Sequence, residues 1–508
     1  MKKNQFLLVS LFLIASLLVP AVTGDTQTRS GTSSQTLTSS LFVPSASAED
    51  SESGQEPAAN AENPENETPA PEIPEENLLP EDPQIMAHSA ILVDLNSGGI
   101  LYGKNEHEKA YPASLTKIMT ALLVLDAVSE GRLSMEQEIT ASGVVQSVPA
   151  GSSTANPALK EGEIMTVRNL LYCLLVKSAN ESADVLAEAV SGSVSDFVDL
   201  MNQKAQELGC ENTHFVNPHG FHNYDHYTTA WDISVITRAA MKYPDFMTIC
   251  DTVNITIPAT NLSPQRTGWN TNALRSRWTY GDKYINPEAH GVKTGSTNEA
   301  GYCLVSTAER GRMHVLSVVM GAERVTEDNG SVTVRSFSET TRLFNWGFDN
   351  FRYATILEPE IPIQEIPVDL SKTDYVVAIS SDAVEALIPA KLSGDKMEKV
   401  ITFDDEILTA PVEAGQHLGA LELRYKGVTY GKSDLQALSG AEASQWKVAL
   451  RRVEEFVRRP IVIGVGGAVL LAAAILGIRS LIFSRNRYRY GHAVSNSRGG
   501  YTGNKKRR

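Results

Sequence analysis

Residues 460–478 constrain the chain most. About 19 consecutive residues there carry no charge, close to the length of helix that crosses a hydrocarbon core. A buried soluble helix is the alternative reading. Arg479, Arg485, Arg487 and Arg489 follow at once, and the chain closes on Lys505-Lys506-Arg507-Arg508 with no acidic residue after Arg479. Basic flanks mark the cytoplasmic side of a span, which puts the 479–508 tail inside and the bulk of the chain outside. The other end agrees. Met1-Lys2-Lys3, an apolar run over 6–19 and small Ala21 and Gly24 have the parts of a secretory signal peptide, assigned 1–24; a retained anchor is the alternative, with a run short for a span.

Between these ends the composition changes twice. Residues 25–84 are rich in Ser, Thr, Pro, Glu and Asn, and from Gly31 to Gly103 there is no Lys or Arg. Such a stretch cannot bury enough apolar area to offset its ordering entropy, so it is expected to be a disordered, extended spacer. Order is expected from Ile85, with a catalytic-sized domain over 85–351. The strand-like runs 90–95 and 100–102 flank the turn residues Asn96-Ser97-Gly98-Gly99, which predicts a hairpin. Helices are expected after Tyr111-Pro112, after Thr166 as a cap, from Glu181, and over 231–247. Gly291-Val292-Lys293-Thr294-Gly295 leads into a strand-like run over 302–306, and a reverse turn at Glu309-Arg310-Gly311 joins it to a second over 315–320. This predicts two antiparallel strands with Lys293 at the edge of the first. Helical periodicity then disappears, and short strand-like runs over 352–438 predict a small β domain. The segment 439–459 places Trp446, Leu450, Val453 and Val457 on one helical face, to pack on the β domain or lie on a membrane. The formal charge of −15 argues against nucleic-acid binding. Cys173 and Cys303 sit in apolar runs and read as buried thiols; a Cys210–Cys250 disulfide is left open.

Ser114 and Lys117 stand three apart at the opening of an apolar run, Ile118, Met119, Leu122, Leu123 and Leu125, whose spacing predicts a core-facing helix. One face near that helix start therefore presents a hydroxyl beside an amine. Ser-x-x-Lys alone is weak, since it recurs at Ser393/Lys396 and Ser444/Lys447. The combination carries the argument: Ser114/Lys117, then Ser178/Asn180 at a junction between helices, then Lys293-Thr294-Gly295 on a strand, in that chain order.

These are the motifs of the penicillin-interacting serine enzymes. With Ala113-Ser114-Leu115-Thr116-Lys117, Ser178-Ala179-Asn180, Asn217-Pro218-His219-Gly220 and Gly291 through Thr297, the chain closely resembles the D-alanyl-D-alanine carboxypeptidases among the low-molecular-weight penicillin-binding proteins. The run from Ala410-Pro411-Val412 to Leu421 resembles their small C-terminal domain. The resemblance implies an α/β (α+β) fold: an antiparallel sheet covered by helices, with a helical subdomain, then a small all-β domain and a C-terminal transmembrane helix. It implies a single-pass enzyme on the outer face of a bacterial plasma membrane that removes the terminal D-alanine from peptidoglycan stem peptides and is inhibited by β-lactams. No cofactor or metal is implied.

In that scheme Ser114 attacks the D-Ala-D-Ala carbonyl. A serine hydroxyl needs a base, and Lys117 can serve if burial and the neighbouring Lys293 cation keep it neutral. Ser178 relays a proton to the leaving D-alanine, Asn180 holds the substrate amide, and Lys293 and Thr294 bind the terminal carboxylate. Gly295 leaves room for backbone approach. By family analogy the amides of Ser114 and Ser296 form the oxyanion hole. The resemblance also calls for an arginine ahead of the last helix, for which Arg335 is nearest though out of register. Rival readings are a zinc peptidase built on His214, His219, His222 and His226, a membrane-anchored β-lactamase, a DD-endopeptidase, and a catalytically silent wall-binding protein.

Overall fold

The structure, a computed structural model, describes residues 78–490, with side chains to Phe483. The expected signal peptide, most of the spacer and the end of the basic tail lie outside the described residues.

The expected hairpin forms from Ser89–Asp94 and Ile100–Lys104. It joins a five-stranded antiparallel sheet in the order Ile100–Lys104, Ser89–Asp94, Met313–Ala322, Gly301–Arg310, Ala289–Thr297. Every residue of Ser89–Asp94 is buried, because both sheet faces are covered. Its alternating side chains divide two cores: Ile91 and Val93 point to the helical subdomain, while Ala90 and Leu92 meet the helix Arg335–Asn350 through Phe337, Leu343 and Phe344. A Cβ on Gly347 would come within 2.8 Å of Leu92 Cδ2, so this glycine permits the close approach of helix and sheet. Ala289–Thr297, the strand that carries Lys293, is a sheet edge.

The helix Lys117–Ser129 is buried from Lys117 through Ala127, so it is packed on all sides rather than on one stripe. Thr166 caps Val167–Leu175 as expected, its hydroxyl accepting from Asn169 N at 3.2 Å. The helix expected over 231–247 is two, Ala230–Ala240 and Pro244–Cys250; Pro244, lacking an N–H, opens the second. All four cysteines are buried and free, including Cys210 and Cys250.

The β domain is richer in strands than its sequence patterns indicated. A six-stranded sheet runs Glu398–Phe403, His417–Tyr425, Val428–Ala437, Tyr375–Ser380, Pro362–Asp369, Leu408–Thr409, and Phe351–Leu357 pairs with Val384–Pro389. Order starts before Ile85: Leu78 is buried in the β-domain core, and Glu81 O accepts from Trp346 Nε1 at 2.6 Å. Residues 78–84, expected in the spacer, therefore belong to the fold: Leu78 and Leu79 supply apolar anchors that a window dominated by Pro and Glu conceals.

The helix Gln445–Val457 turns charge, not oil, toward the β domain: Lys447 pairs with Asp374 at 3.1 Å and Arg451 with Asp369. Trp446, Leu450, Val453 and Val457 stay exposed. The final helix, Pro460–Tyr490, runs past the expected 478, since arginine is a good helix former. Its Pro460–Phe483 part holds an 18-residue stretch of mean hydropathy 2.6, none of it buried, and is long and apolar enough to cross a membrane.

Candidate active site

Ser114 sits one turn earlier than a helix start would place it, on the 3-10 turn Ala113–Thr116. Ala113 has φ +47, a left-handed conformation that a side chain resists, so something must hold it. Gly220 does. Its φ is +82, and a Cβ there would lie 1.8 Å from Ala113 O, so only glycine lets the Asn217–Gly220 turn close over the serine turn. Thr116 Oγ1 donates to Ala113 O at 2.8 Å and lies 2.8 Å from His226 Nε2. Burial holds the His226 ring neutral, pulling its pKa down to about 3.

Lys117 Nζ lies 2.9 Å from Ser114 Oγ, 2.7 Å from Asn180 Oδ1 and 2.6 Å from His219 O. The amide oxygen and the main-chain carbonyl can only accept. A neutral amine gives its two N–H groups to them, and its lone pair then faces the serine hydroxyl. Burial and, next, the Lys293 cation lower the Lys117 pKa well below the usual lysine range, against the opposing pull of Asp184 and Glu181. Lys293 is itself buried, donates to Thr294 O at 2.8 Å, and has its pKa lowered by desolvation to about 7.

A cavity of about 250 Å³ lies in front of this cluster, lined by Ser114, Ser178, Thr294, Gly295 and Ser296. Lys117, Asn180 and Lys293 are buried behind it. Ser178 has φ +60, at the break between Val167–Leu175 and Asn180–Ser191 that the sequence indicated. The space left at Gly295 is used by the protein's own backbone: a Cβ there would sit 3.0 Å from both Pro112 O and Ser114 N. This brings the strand edge against the serine turn.

Sequence reasoning missed the other walls, Ser153, Thr271, Thr279, Tyr280, Tyr302, Ser336 and Phe337. Thr271 is tied to the site by a 2.7 Å hydrogen bond from Thr294 Oγ1. Ser153 is placed by its carbonyl, which accepts from Asn180 N at 2.9 Å, and by Glu181, which accepts from Ala155 N at 2.8 Å. The His219 carbonyl was within a noticed motif, Asn217-Pro218-His219-Gly220, but a main-chain acceptor has no residue-type signal. Arg335 pairs with Glu323 at 3.1 Å, and its neighbours Ser336 and Phe337 reach the cavity instead. The histidines face separate partners: His214 Nδ1 lies 2.6 Å from Asp225 O, and His222 packs edge-on to Tyr111 at 4.7 Å. Beyond Ser296 and Tyr302 the cavity continues into an open groove of about 1210 Å³, walled by Tyr111, Tyr224 and Tyr227.

Comparison with known proteins matches residues 76–324 to the D-alanyl-D-alanine carboxypeptidase family and residues 351–443 to the C-terminal domain of penicillin-binding protein 5. The D-alanyl-D-alanine carboxypeptidase DacF of Bacillus subtilis (strain 168) is 30% identical over 366 residues, 72% of this chain and 88% of the relative. The DacA enzyme of Haemophilus influenzae is 32% identical over 362 residues, 70% of this chain and 86% of its own length. Among solved structures, penicillin binding protein 5 from Haemophilus influenzae superposes with a TM-score of 0.53 at 30% identity, covering 71% of this chain and 99% of that one.

Proposed function

Because this chain belongs to the D-alanyl-D-alanine carboxypeptidase family, the serine peptidases among the low-molecular-weight penicillin-binding proteins, we propose that Ser114 is its acylated nucleophile and Lys117 the base. The observation that carries the reading is the hydrogen-bond set of Lys117: two fixed acceptors aim the amine lone pair at Ser114 Oγ 2.9 Å away. The Ser114 Oγ–carbonyl bond forms as its proton passes to Lys117. The D-Ala–D-Ala C–N bond then breaks, and the proton reaches the departing amine through Ser178. Water attacks the acyl-enzyme as Lys117 takes its proton; the Ser114 Oγ–acyl bond then breaks, and that proton passes from Lys117 back to Ser114 Oγ.

Lys293, held near neutrality by burial, gains charge when a carboxylate arrives, since an anion favours the protonated amine. With Thr294 it anchors the terminal carboxylate, the feature that distinguishes a chain end from an internal peptide bond. The closeness of Gly295 to Ser114 N supports an oxyanion hole from the amides of Ser114 and Ser296. Asn180 acts first on Lys117, as the acceptor that orients it, and offers its amide N–H₂ to the substrate.

A β-lactam, whose ring amide resembles the scissile bond, acylates the same serine. The helix at Pro460–Phe483 anchors the enzyme, and the basic residues that follow it set the catalytic domain on the extracytoplasmic side, facing the peptidoglycan stem peptides. The test is D-alanine release from a synthetic pentapeptide ending in D-Ala-D-Ala. The wild type releases it and Ser114→Ala does not; equal release by both removes Ser114 from the role.

A further inference from the structure

The segment 266–280 forms one wall of the cavity and carries a feature that the acyl chemistry does not use. Residues of the strand Arg266–Trp269 alternate: Arg266 and Gly268 are buried, while Thr267 and Trp269 face out. The indoles of Trp269 and Trp278 stack with centroids 5.2 Å apart and planes within 7°. Trp269 is 38% and Trp278 69% exposed. A pair of the largest side chains held open to water beside a catalytic cavity marks a recognition surface.

The pair is fixed from beneath. Arg266, 2% exposed, pairs with Glu163 at 2.7 Å and donates from Nε to Pro157 O at 2.9 Å. Gly268 lies against the Lys177 stem, where a Cβ would come within 2.3 Å of Lys177 Cδ. The pair is also continuous with the active site: Thr271, two residues after Trp269, and Thr279, next to Trp278, both line the cavity with Ser114.

We infer that the Trp269–Trp278 stack is a subsite for a pyranose ring of the glycan strand to which the stem peptide is attached. This deepens the carboxypeptidase reading and rests on it. A pyranose presents a flat face of polarised C–H groups, which the electron-rich face of an indole attracts, and equatorial polar groups at its edge. The hydroxyls of Thr267, Thr271 and Thr279 flank the indoles in the chain. Arg277 and Asp282, on either side of Trp278 and Thr279, are paired with each other, so the platform suits a neutral ring rather than an ion. An extended five-residue stem spans at most about 17 Å, so the sugar of a peptide whose end lies at Ser114 stays within about that distance of the serine.

The experiment compares full-length protein in detergent on three substrates: a free pentapeptide, the same pentapeptide linked to its N-acetylated disaccharide, and the pentapeptide carrying an apolar acyl group of similar size. The wild type shows kcat/KM about tenfold higher on the disaccharide form, 1.4 kcal/mol of added binding. Trp278→Ala and Trp278→Leu lose that advantage through KM, and Trp278→Phe, which keeps a flat ring, retains part of it. Labelling by penicillin at the wild-type rate certifies that each variant is folded. No preference in the wild type, or a preference that survives in Trp278→Ala, overturns the inference. So does an equal gain from the apolar acyl group, or an equal loss on all three substrates. A wild type that cleaves no form of the peptide overturns instead the carboxypeptidase reading beneath it.

Discussion

Lys293→Met should make the protein more stable and nearly inactive, with a gain that depends on pH in a defined way. Lys293 is buried, and its pKa falls from the ordinary 10.5 to about 7, chiefly by desolvation. For a lysine lowered on folding, the unfolded chain binds the proton more tightly. The penalty is full below the folded value and vanishes as pH rises to the unfolded value. The difference between 10.5 and about 7 corresponds to roughly 5 kcal/mol below pH 7, about 3 kcal/mol at pH 8 and under about 1 kcal/mol at pH 10. Methionine matches the stem in volume and needs no proton. It forfeits the 2.8 Å hydrogen bond to Thr294 O, a loss of about 1 kcal/mol. The variant should therefore exceed the wild type by about 2 kcal/mol at pH 8, and the order should reverse or level by pH 10. Urea unfolding followed by tryptophan fluorescence, at several pH values in one detergent, reads this directly. D-alanine release should fall at least about a hundredfold, since the carboxylate loses its cation. A variant less stable than the wild type at pH 8, or a difference that does not change between pH 8 and 10, refutes the claim that Lys293 is held against its charge.

Further outcomes follow from the same geometry. Asp184 is buried, has its pKa pushed up to about 7 by burial, lies 3.8 Å from His219 Nε2, and favours the protonated form of Lys117. Asp184→Asn should move the acid limb of penicillin acylation to lower pH in stopped-flow labelling; movement to higher pH contradicts the assigned direction. Gly220→Ala, with φ +82 and a Cβ 1.8 Å from Ala113 O, should cost at least about 3 kcal/mol by thermal unfolding. Gly131→Ala, at φ +73 with open space around it, should cost about 1 kcal/mol. Similar losses at the two glycines would show that backbone conformation, not the fit against the serine turn, sets the cost at Gly220.

Much of the site was legible because its side chains come in short motifs. Ser114 and Lys117 are three apart, which a turn of either helix type brings together, so the difference between the 3-10 turn and an α-helical start did not disturb the pairing. Ser178 and Asn180 are placed by the break between two apolar periodicities, and Lys293 by the Lys293-Thr294-Gly295 motif that leads into a strand-like run. What escaped were contacts with no residue-type signature: the His219 carbonyl on Lys117, and Thr271 and Ser153, brought in by long-range packing of loops. In the β domain, Pro362–Asp369 contains Pro362 and Pro367 and has several exposed positions, so its strand character comes from pairing with Tyr375–Ser380 on one side and Leu408–Thr409 on the other. At Leu78, composition averaged over a window masked an apolar anchor that a tertiary core selects. The segment 439–459 shows two faces in the sequence, but nothing in that pattern says that the charged face is the one that meets the β domain, as it does where Lys447 pairs with Asp374 and Arg451 with Asp369.

The account stands on one covalent bond. Full-length protein incubated with a labelled penicillin and digested should give a single labelled peptide containing Ser114, with fragment masses that put the acyl group on that residue. The label should be absent from Ser114→Ala. An adduct on Ser178 or Ser296, or on the Ser114→Ala protein, would contradict the assignment of Ser114 as the nucleophile and of Lys117 as the base that serves it.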